Sequence, residues 1–521
     1  MSKNLYALFQ SRFPNNMSSD FIKSPDGGNL SYSELDQQTA QMAGTLLSLG
    51  VEAGDRVAVQ VEKTKEAVVL YLACLRVGAI YLPLNTAYTA DELDYFMGDA
   101  QPHVMVCTSE KYKNLEAVAQ RNSVPHLLTL NNKGTGSLMD RFKRTLPHHE
   151  VKDVSGDDIA AILYTSGTTG RSKGAMLSHD NLASNADVLH KYWGWVPNDI
   201  LLHALPIFHV HGLFVAIHCV LMNGSGMWFL PKFNAEEIIS LLPKSTVMMG
   251  VPTFYTRLLD HPDFGQSICQ NMRLFISGSA PLLEDTFEQF SKRTGMTILE
   301  RYGMTEAGMI TSNPLSNPQD NSRQSDRIAG TVGYPLPGVQ ARLSKNTRDQ
   351  DATDRDATDG DVGVLEIKGP NVFKGYWKMP KKTAEEFTKD GFFITGDIAT
   401  IAEDNRVAIV GRTKDLIISG GYNIYPKEIE QIIDTIDGVK ESAVIGIQHP
   451  DFGEAVVAII ISDNTKNLHE AYILNHLKDR LARFKQPKAI FFLDELPRNT
   501  MGKVQKNILR QNYANHFKTQ Q

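Results

Sequence analysis

Apolar residues recur at two different spacings along the first part of the chain. Residues 33–50 place apolar side chains at helical spacing and end at Gly50, whereas residues 55–61 alternate between polar and apolar side chains as a strand does. The same order continues with a predicted helix over 66–77 and predicted strands over 79–85 and 104–107. Strands that alternate with helices of ten or more residues are typical of a parallel sheet covered by helices. The pattern therefore predicts an α/β fold.

Several later apolar runs end in short loops rich in glycine, proline or hydroxyl residues. These runs and their loops cover residues 199–206, 247–252 and 274–281. Such strand ends are the places where α/β sheets bind ligands. Beyond the apolar run 407–410 a new alternation begins, with a helix from Tyr425 and strands over 441–447 and 456–461. We therefore expect a large N-terminal domain over residues 1–412, built from parallel or mixed sheets, and a small α+β domain over residues 413–521.

A loop rich in glycine and hydroxyl residues follows the apolar run 160–163. Its sequence is Tyr-Thr-Ser-Gly-Thr-Thr-Gly-Arg-Ser-Lys-Gly over residues 164–174. Glycines let the backbone approach a ligand closely, and successive N–H groups and hydroxyls form an anion-binding concavity to which Lys173 adds charge. The spacing differs from that of the common P-loop. The loop nevertheless predicts a site for a polyphosphate.

Composition narrows the class of protein. The chain has 521 residues with a net charge of −6 and no long basic block, which argues against nucleic acid as a partner. Its four cysteines are scattered without a Cys-x-x-Cys pair, which argues against a disulfide scaffold and suggests a reducing compartment. Histidines interrupt the longest apolar stretch, around residues 207–222, so a membrane span is not expected. We expect a cytoplasmic globular enzyme that acts on small molecules.

Six further motifs follow the glycine-rich loop in a fixed order. They are Tyr-Gly-Met-Thr-Glu at 302–306, Gly-Thr-Val-Gly at 330–333, Ile-Thr-Gly-Asp at 394–397, Gly-Arg-Thr-Lys-Asp at 411–415, Ser-Gly-Gly-Tyr-Asn-Ile at 419–424 and Pro-Arg-Asn-Thr-Met-Gly-Lys at 497–503. Together with the loop they resemble the motifs of the adenylate-forming acyl-CoA synthetases, a superfamily that includes adenylation domains and luciferase. The resemblance extends over nearly the whole chain.

The resemblance implies ATP, Mg²⁺ and coenzyme A as the reaction's small molecules. The ATP- or AMP-binding residues it implies are Thr165, Ser166, Gly167, Thr168, Thr169, Gly170, Lys173, Gly278, Ser279, Ala280, Tyr302, Gly303, Asp397 and Arg412. Thr305 would contact phosphate and Glu306 would hold the metal ion, since Mg²⁺ prefers carboxylate and phosphate oxygen. Asp397 would accept hydrogen bonds from the ribose hydroxyls, and Lys503 would be the catalytic lysine that bridges the substrate carboxylate and the α-phosphate.

The resemblance also implies a second half-reaction in which the thiol of coenzyme A attacks the acyl-adenylate. Family members rotate the C-terminal domain about one hinge residue, which corresponds to Lys414. Ser419, Gly420 and Gly421 would then line the passage for the pantetheine arm. We expect a mobile C-terminal domain and either a monomer or a homodimer.

The choice of acid depends on a second set of stretches, which form the expected acyl pocket. The stretches 249–255, 274–283 and 371–377 are similar to those of malonyl-CoA synthetases, which implies malonate as the acid, with methylmalonate tolerated. Arg257, one turn into a predicted helix, is suited to bidentate binding of a second carboxylate, and Ser277 could add a hydroxyl donor. His209 is expected in the pocket wall. Zinc binding by His209 and His211 lacks a third group of ligands.

Three other functions stay open at this point. The chain could act on a short or medium monocarboxylic acid, it could be a stand-alone adenylation enzyme that loads a carrier protein, or it could be an inactive protein that senses an adenylate. The presence of Thr305, Glu306, Asp397 and Lys503 argues against an inactive protein.

Overall fold

The computed structural model describes residues 3–165, 172–315, 327–344, 362–420, 422–463, 468–478, 480–499 and 502–517. The chain divides into two compact units. The first comprises Met1–Gln340 and Ile367–Phe393, and the second comprises Ala341–Glu366 and Ile394–Gln521. The second unit includes segments that precede residue 412, so this division by contacts differs from the predicted division into domains. The domain boundary at residue 412 stays a prediction.

Helices and strands alternate through most of the first unit. Its helices are α1 (Leu5–Gln10), α2 (Tyr32–Ser48), α3 (Lys65–Val77), α4 (Ala90–Ala100), α5 (Ser109–Arg121), α6 (Ser137–Phe142), α7 (His179–Tyr192), α8 (His218–Asn223), α9 (Ala235–Leu241), α10 (Pro252–Leu259), α11 (Glu284–Thr294) and α12 (Pro380–Glu385). Its strands are β1 (Asp20–Lys23), β2 (Leu30–Ser31), β3 (Arg56–Gln60), β4 (Ile80–Pro83), β5 (Val104–Cys107), β6 (His126–Thr129), β7 (Ile159–Thr165), β8 (Lys173–Ser178), β9 (Ile200–His203), β10 (Gly226–Phe229), β11 (Val247–Gly250), β12 (Leu274–Ser277), β13 (Leu299–Met304), β14 (Gly308–Ser312) and β15 (Tyr334–Pro335).

Local sequence explains where the first long helices begin and end. At the start of α2, the Ser31 side chain accepts a hydrogen bond from the Glu34 backbone N–H, and the Glu34 side chain accepts one from the Ser31 N–H. Helix α3 ends at Gly78, which adopts a φ of 74°, in the left-handed region that favours glycine. The helices predicted over 33–50 and 66–77 are thereby confirmed.

Two sheets form the core of the first unit. The six-stranded sheet has the order β6-β5-β3-β4-β7-β8, in which only the β7–β8 pair is antiparallel among the described pairings. The nine-stranded sheet has the order β15-β14-β13-β12-β11-β9-β10-β1-β2, and its strands from β13 to β1 pair in parallel. Strand β5 is buried along its whole length, as a strand with both faces covered must be. The predicted α/β class with parallel and mixed sheets is confirmed.

The second unit is a smaller α+β assembly. Its elements are β16 (Gln340–Ser344), β17 (Val362–Lys368), β18 (Phe393–Ile401), β19 (Val407–Arg412), β20 (Ile417–Ser419), β21 (Tyr422–Ile424), α13 (Pro426–Ile433), β22 (Val439–His449), β23 (Gly453–Ser462), α14 (Glu470–Leu477), β24 (Ala489–Leu493) and α15 (Lys506–Tyr513). Strands β16–β19 form one sheet and β20–β24 another. Alternate residues of β22 and β23 contribute to two buried clusters, with Val444, Val456 and Ile460 in one and Ile445, Val457 and Ile459 in the other.

Two local features of the first unit were not evident from the apolar pattern. Residues Lys173–Ser178 form β8, so the glycine-rich loop joins two antiparallel strands. Residues His211–Ile217 form a π-helix, a rare conformation that is frequent at functional sites. Among the described residues, no helix has the length and apolar character needed to cross a membrane.

Candidate active site

A buried carboxylate lies at the turn of the β13–β14 hairpin. Glu306 is in this turn, where Gly303 and Gly308 allow a close approach of the two strands, since a Cβ added to Gly303 would lie 2.1 Å from the Gly308 oxygen. The Thr165 hydroxyl, at the end of β7, lies 3.3 Å from Glu306 Oε1. The structure thus brings together two of the predicted ATP-site residues from strands far apart in sequence.

Lys173 completes this group from the start of β8. Its Nζ donates to Glu386 Oε1 at 2.8 Å and lies 4.0 Å from the centre of the Tyr376 ring. The Tyr376 hydroxyl lies 2.7 Å from Glu386 Oε2 and 3.1 Å from Glu306 Oε1. Tyr376 and Glu386 were not among the predicted site residues, although Tyr376 lies in the stretch 371–377 that resembles the malonyl-CoA synthetases.

The two glutamates of this group differ in their electrostatics. Burial raises the pKa of Glu306, and the hydrogen bond from Tyr376 and the charge of Lys173 only partly offset this effect. Burial alone would also raise the pKa of Glu386, but hydrogen bonds from Lys173 and Tyr376 hold it below its ordinary value. Glu386 is therefore the ionised partner of Lys173, and Glu306 is the carboxyl that holds a proton more easily.

The donor set suits a magnesium ion that arrives with a polyphosphate. Within the described ranges, no group of three or more histidine, cysteine, aspartate or glutamate residues could hold a metal ion. Mg²⁺ is commonly bound by one or two carboxylates together with substrate phosphates and water. The Glu306 carboxyl next to Lys173 and Thr165 fits that description.

A second group of buried polar side chains surrounds Gly278, after β12. Arg301, on β13, is buried, and a Cβ added to Gly278 would lie 2.5 Å from Arg301 Cζ. Arg301 Nε and Nη2, Ser277 Oγ and His211 Nε2 are buried without hydrogen-bond partners in the part of the chain that the structure describes. Ser279 adopts a φ of 74°, unusual for a residue other than glycine, and its hydroxyl lies 3.2 Å from His211 Nδ1. We call Ser277, Gly278, Ser279, His211 and Arg301 the Arg301 cluster.

The charge state of the Arg301 cluster follows from burial. Burial lowers the pKa of Arg301 to about 9, while Tyr255 and Glu300 oppose the shift. Burial also places the pKa of His211 well below its ordinary value, and the nearby Arg301 cation lowers it further. A buried guanidinium with unpaired N–H groups is unfavourable on its own, and a carboxylate would satisfy it. The cluster therefore has the chemistry of an anion site.

Two basic side chains, the half-buried Lys63 and the buried His203, hold the start of the π-helix that carries His211. His203 Nε2 lies 2.8 Å from the Gly212 carbonyl, which can only accept, so this nitrogen carries the proton. Lys63 Nζ then donates to His203 Nδ1 at 2.7 Å and to the His203 carbonyl at 2.9 Å. These contacts hold Gly212, and with it the neighbouring His211, against strand β9.

The predicted acid-site residues are distributed differently from the expectation. Ser277 is buried within the Arg301 cluster, whereas Arg257 is exposed on α10, and its guanidinium lies 5.9 Å from the Phe233 ring. Helix α10 turns this position away from its buried face, which carries Phe254, Tyr255 and Leu258, so the structure does not bury Arg257, and its role toward the acid stays a prediction. His209 accepts a hydrogen bond from the His211 N–H at 3.3 Å.

Asp397 and Arg412 face each other across the second unit's β18–β19 pair. Their backbones are directly paired, and Arg412 Nε donates to Asp397 Oδ1 at 2.8 Å. Lys503 follows Gly502, whose φ is 73°, and its N–H donates to Asn499 Oδ1 at 3.0 Å. Burial lowers the pKa of Lys503 to about 8, the cations Arg412 and Lys414 lower it further, and Asp397 opposes them. The predicted ribose ligand and the predicted catalytic lysine are thus electrostatically coupled.

The remaining predicted residues have local positions but no tested role. Ser419 is buried, Gly420 has a φ of 57°, and Lys414 lies in the short 3₁₀ turn Thr413–Asp415. Tyr302 and Gly303 lie on β13, Thr305 follows that strand, and Ala280 follows Ser279. The predicted residues that lie outside the described ranges are Ser166, Gly167, Thr168, Thr169, Gly170 and Gly421.

Two protein-family models match the sequence of this chain. Residues 10–377 match the AMP-binding enzyme family, and residues 428–503 match the AMP-binding enzyme C-terminal domain. The chain belongs to the AMP-binding enzyme family. Among curated relatives it is 34% identical to the mitochondrial malonate–CoA ligase ACSF3 of Mus musculus, over 95% of this chain and 88% of that protein. It is also 34% identical to a malonate–CoA ligase of Arabidopsis thaliana, over 92% of this chain and 81% of that protein.

A solved structure extends the likeness to the fold. The crystal structure of ATP-bound MatB from Rhodopseudomonas palustris matches this AMP-binding enzyme with a TM-score of 0.94 and 51% identity, over 99% of this chain and 100% of that one. A fatty acyl-CoA synthetase of Mycobacterium tuberculosis matches with a TM-score of 0.77 and 28% identity, over 99% of each chain.

Proposed function

We propose that this enzyme ligates malonate to coenzyme A at the expense of ATP. In the first half-reaction a malonate oxygen attacks the α-phosphorus of ATP, the bond to the bridging oxygen breaks, and pyrophosphate leaves. In the second, the sulfur of coenzyme A attacks the acyl carbon, the thiol loses its proton, and AMP leaves. The products are malonyl-CoA, AMP and pyrophosphate.

The observation that carries the choice of acid is the buried guanidinium of Arg301, whose Nε and Nη2 have no hydrogen-bond partner among the described residues. A monocarboxylate would use its single carboxylate in the reaction and would leave these two nitrogens without an acceptor. Malonate has a second carboxylate that can accept hydrogen bonds from Arg301 Nε and Nη2, with Ser277 Oγ as a further donor. The malonate–CoA ligases among the relatives support the same choice.

The proposed roles at the ATP site follow from charge. Attack of a carboxylate on a polyphosphate brings anions together, so cations and hydroxyl donors are needed to stabilise the transition state. Lys173 and Thr165 contribute these groups beside Glu306, and Glu306 would hold a magnesium ion that supplies charge neutralisation to the phosphates. Asp397 and Arg412 are proposed to bind the ribose, and Lys503 is proposed to stabilise the charge that develops during adenylation.

The test is a panel of acids assayed for pyrophosphate release with and without coenzyme A. Malonate, methylmalonate, succinate, acetate and butyrate are compared, and the thioester product is identified by mass spectrometry. We expect malonate to give the highest kcat/KM and malonyl-CoA as the product, with lower activity on methylmalonate. A preference for acetate or butyrate would reject the dicarboxylate assignment. Adenylate formation without transfer to free coenzyme A would favour loading of a carrier protein.

The cellular location and the oligomeric state stay predictions. The relatives include mitochondrial proteins, so the cytoplasmic location expected from the sequence needs its own measurement, such as fractionation of the native host cells. The expected monomer or homodimer is checked by light scattering of the purified chain.

A further inference from the structure

A hydrogen bond joins the end of strand β7 to the end of helix α4. The Tyr164 hydroxyl, on β7, donates to Asp99 Oδ2 at 2.5 Å, and the Tyr164 ring packs against Phe96 with the ring centroids 4.5 Å apart. Burial and the neighbouring Asp99 raise the pKa of Tyr164, so this hydroxyl keeps its proton and acts as the donor. Thr165 is the next residue along β7, so the contact holds the backbone from which the Thr165 hydroxyl reaches Glu306.

The same face of α4 holds the start of strand β8. The Tyr95 hydroxyl donates to the Ser172 carbonyl at 2.7 Å. Tyr95 precedes Asp99 by four residues, a spacing that places two side chains on one face of a helix. Ser172 is directly followed by Lys173, which pairs with Thr165 in the register of the two strands. One helix face therefore holds the backbone next to both of these site residues, and we call Tyr95 and Asp99 the α4 anchor.

A third segment of the site reaches the end of α4. The Asp99 carbonyl accepts hydrogen bonds from Trp377 Nε1 at 3.2 Å and from Lys378 Nζ at 2.6 Å. The Trp377 N–H donates to the Gly174 carbonyl on β8 at 2.8 Å. Trp377 directly follows Tyr376, whose hydroxyl contacts both glutamates of the site, so the same helix end also supports this side chain.

We propose that the α4 anchor positions the ATP-site residues for adenylation. Three residues contact the two glutamates of the site, and each has a chain neighbour that is bonded to Tyr95 or Asp99; the three are Thr165, Lys173 and Tyr376. Stabilisation of a phosphate transition state depends on where such groups lie, and a displacement of about 1 Å can cost roughly a hundredfold in rate. The α4 anchor acts through chain neighbours, so its members are positioning residues. The assignment rests on the proposed roles of Thr165 and Lys173 toward ATP.

The test separates the nucleotide from the acid. The affinity for magnesium–ATP is measured by calorimetry without any acid, and adenylation is measured as malonate-dependent exchange of pyrophosphate into ATP, per folded molecule. Asp99→Ala and Tyr164→Phe each remove the bond to β7, so we expect the Kd for magnesium–ATP to rise and the exchange rate to fall, each by about tenfold. The KM for malonate should change by less than about twofold. For Tyr95→Phe, which removes one bond to a carbonyl, we expect about a threefold effect.

A double variant and a conservative variant distinguish positioning from loss of stability. Asp99→Ala combined with Tyr164→Phe should cost no more than either change alone, because both remove the same hydrogen bond. Asp99→Asn keeps an oxygen that accepts from the Tyr164 hydroxyl and should restore most of the ATP affinity. Tyr164→Phe keeps the ring that packs on Phe96, so it decides the question if Asp99→Ala does not fold.

Asp94 supplies the matched control on the same helix. Its Oδ1 accepts a hydrogen bond from Asn122 Nδ2 at 2.6 Å, at the end of α5. Asp94→Ala therefore removes a bonded carboxylate from α4 without touching β7 or β8, and it should leave the ATP affinity and the exchange rate unchanged. Equal losses in Asp94→Ala and Asp99→Ala would overturn the proposal, as would unchanged ATP affinity and exchange in Tyr164→Phe and Tyr95→Phe.

The levels of inference fail in different measurements. If Lys173→Ala leaves the ATP affinity and the exchange rate unchanged, the proposed role of Lys173 is wrong. If Lys173→Ala impairs both while Tyr164→Phe and Tyr95→Phe impair neither, only the α4 anchor is wrong. If the unaltered enzyme binds magnesium–ATP but shows no exchange with malonate, the malonate assignment fails, and the ATP affinities of the variants still decide whether the α4 anchor acts as proposed.

Discussion

The Tyr376 hydroxyl lies 3.1 Å from Oε1 of Glu306. The same hydroxyl lies 2.7 Å from Glu386 Oε2, although it has only one proton to donate. Glu386 is the more ionised of the two carboxyls, since Lys173 and Tyr376 lower its pKa. The contact of Tyr376 with Glu306 favours the ionised form of that carboxyl but offsets only part of the effect of burial, which raises the pKa of Glu306. Glu306 is therefore the carboxyl of this group that would give up a proton on binding a cation.

Binding of magnesium–ATP is expected to release protons from Glu306 at pH values above the ordinary pKa of a glutamate, because burial raises the pKa of this carboxyl. A bound cation favours the charged form of Glu306, so binding displaces the proton that burial retains. Calorimetric titrations over a series of pH values, in buffers of different ionisation enthalpy, should differ by the heat of up to about one released proton, and the affinity should fall as the pH falls. Enthalpies that do not depend on the buffer would contradict this expectation.

Two variants identify the source of the released proton. Tyr376→Phe removes a hydrogen bond that lowers the pKa of Glu306, so proton release should extend to higher pH. Glu386→Gln removes a carboxyl that is already ionised, so release from Glu306 should persist. Loss of proton release in Glu386→Gln, with no change in Tyr376→Phe, would instead assign the proton to Glu386.

The ATP-site residues from the glycine-rich loop and from the Tyr-Gly-Met-Thr-Glu motif could be predicted because each motif is local. Thr165 and Lys173 flank one loop, and the chemistry of that loop is readable without a fold. Tyr376 and Glu386 were missed because their partners are distant in sequence. Tyr376 lies 70 residues beyond Glu306, and Glu386 lies 213 residues beyond Lys173, and no local spacing reveals contacts over such separations. The parallel sheets follow from the apolar pattern. Strand β8 was not predicted, because its buried and half-buried positions do not alternate as they do in a strand with one covered face.

Arg257 and Arg301 show the limit of the same reasoning at the acid site. Both are cations near strand ends, and sequence alone favoured Arg257 because it follows a strand-to-helix turn. Burial decides between them, and the Arg301 guanidinium packs so closely against Gly278, beyond the end of a neighbouring strand, that a Cβ there would lie 2.5 Å from Arg301 Cζ. One signal was available, because Arg301 places a cation in the strand segment that leads directly into the Tyr-Gly-Met-Thr-Glu motif.

Replacement of Arg301 is expected to remove the preference for malonate. Arg301→Met takes away the partner of the second carboxylate and leaves that anion buried, which costs about 3 kcal/mol, or roughly a hundredfold in kcat/KM for malonate. Activity on acetate should fall far less. Arg301→Lys should restore part of the malonate activity, since lysine keeps the charge but lacks the bidentate geometry.

Arg257→Met is the matched control for that substitution. Because Arg257 is exposed, its loss should change kcat/KM for malonate by less than about threefold. If Arg257→Met abolishes malonate activity and Arg301→Met does not, the assignment expected from the sequence is right and the one based on burial is wrong. Both variants are compared by steady-state kinetics on malonate and acetate.

The adenylation rate is expected to fall as the pH rises through about 8. The Lys503 cation stabilises developing negative charge, and burial lowers its pKa to about 8, so the active protonated form is lost above that pH. Malonate-dependent pyrophosphate exchange should show an alkaline limb in kcat/KM with a tenfold loss per pH unit. Lys503→Arg keeps its proton and should move that limb to higher pH.

A measurement independent of turnover checks the same titration. The rate at which an amine-reactive reagent labels Lys503, followed by mass spectrometry, should reach half of its maximum near pH 8. Labelling that rises only above pH 10 would show an ordinary lysine and would separate the alkaline limb from Lys503.

The second unit is expected to lose stability between about pH 4 and pH 7 through Asp434. Burial raises the pKa of this carboxyl from 3.8 to about 7, the hydrogen bond from Ser442 and the charge of Lys427 oppose the shift, and Glu430 adds to it. A group whose pKa is higher in the folded state binds more protons there, so its contribution is fully present below its unfolded pKa and is lost as the pH rises through its folded pKa.

Asp434→Asn keeps an acceptor for the Ser442 hydroxyl, 2.7 Å away, without the buried charge. It should raise the unfolding temperature at pH 8 by about 2–4 °C and change it little at pH 4. Asp437→Asn, at an exposed position three residues further on, should show no such difference between the two pH values in thermal scans. Equal shifts for both variants would mean that general charge repulsion, and not burial of Asp434, sets the pH dependence.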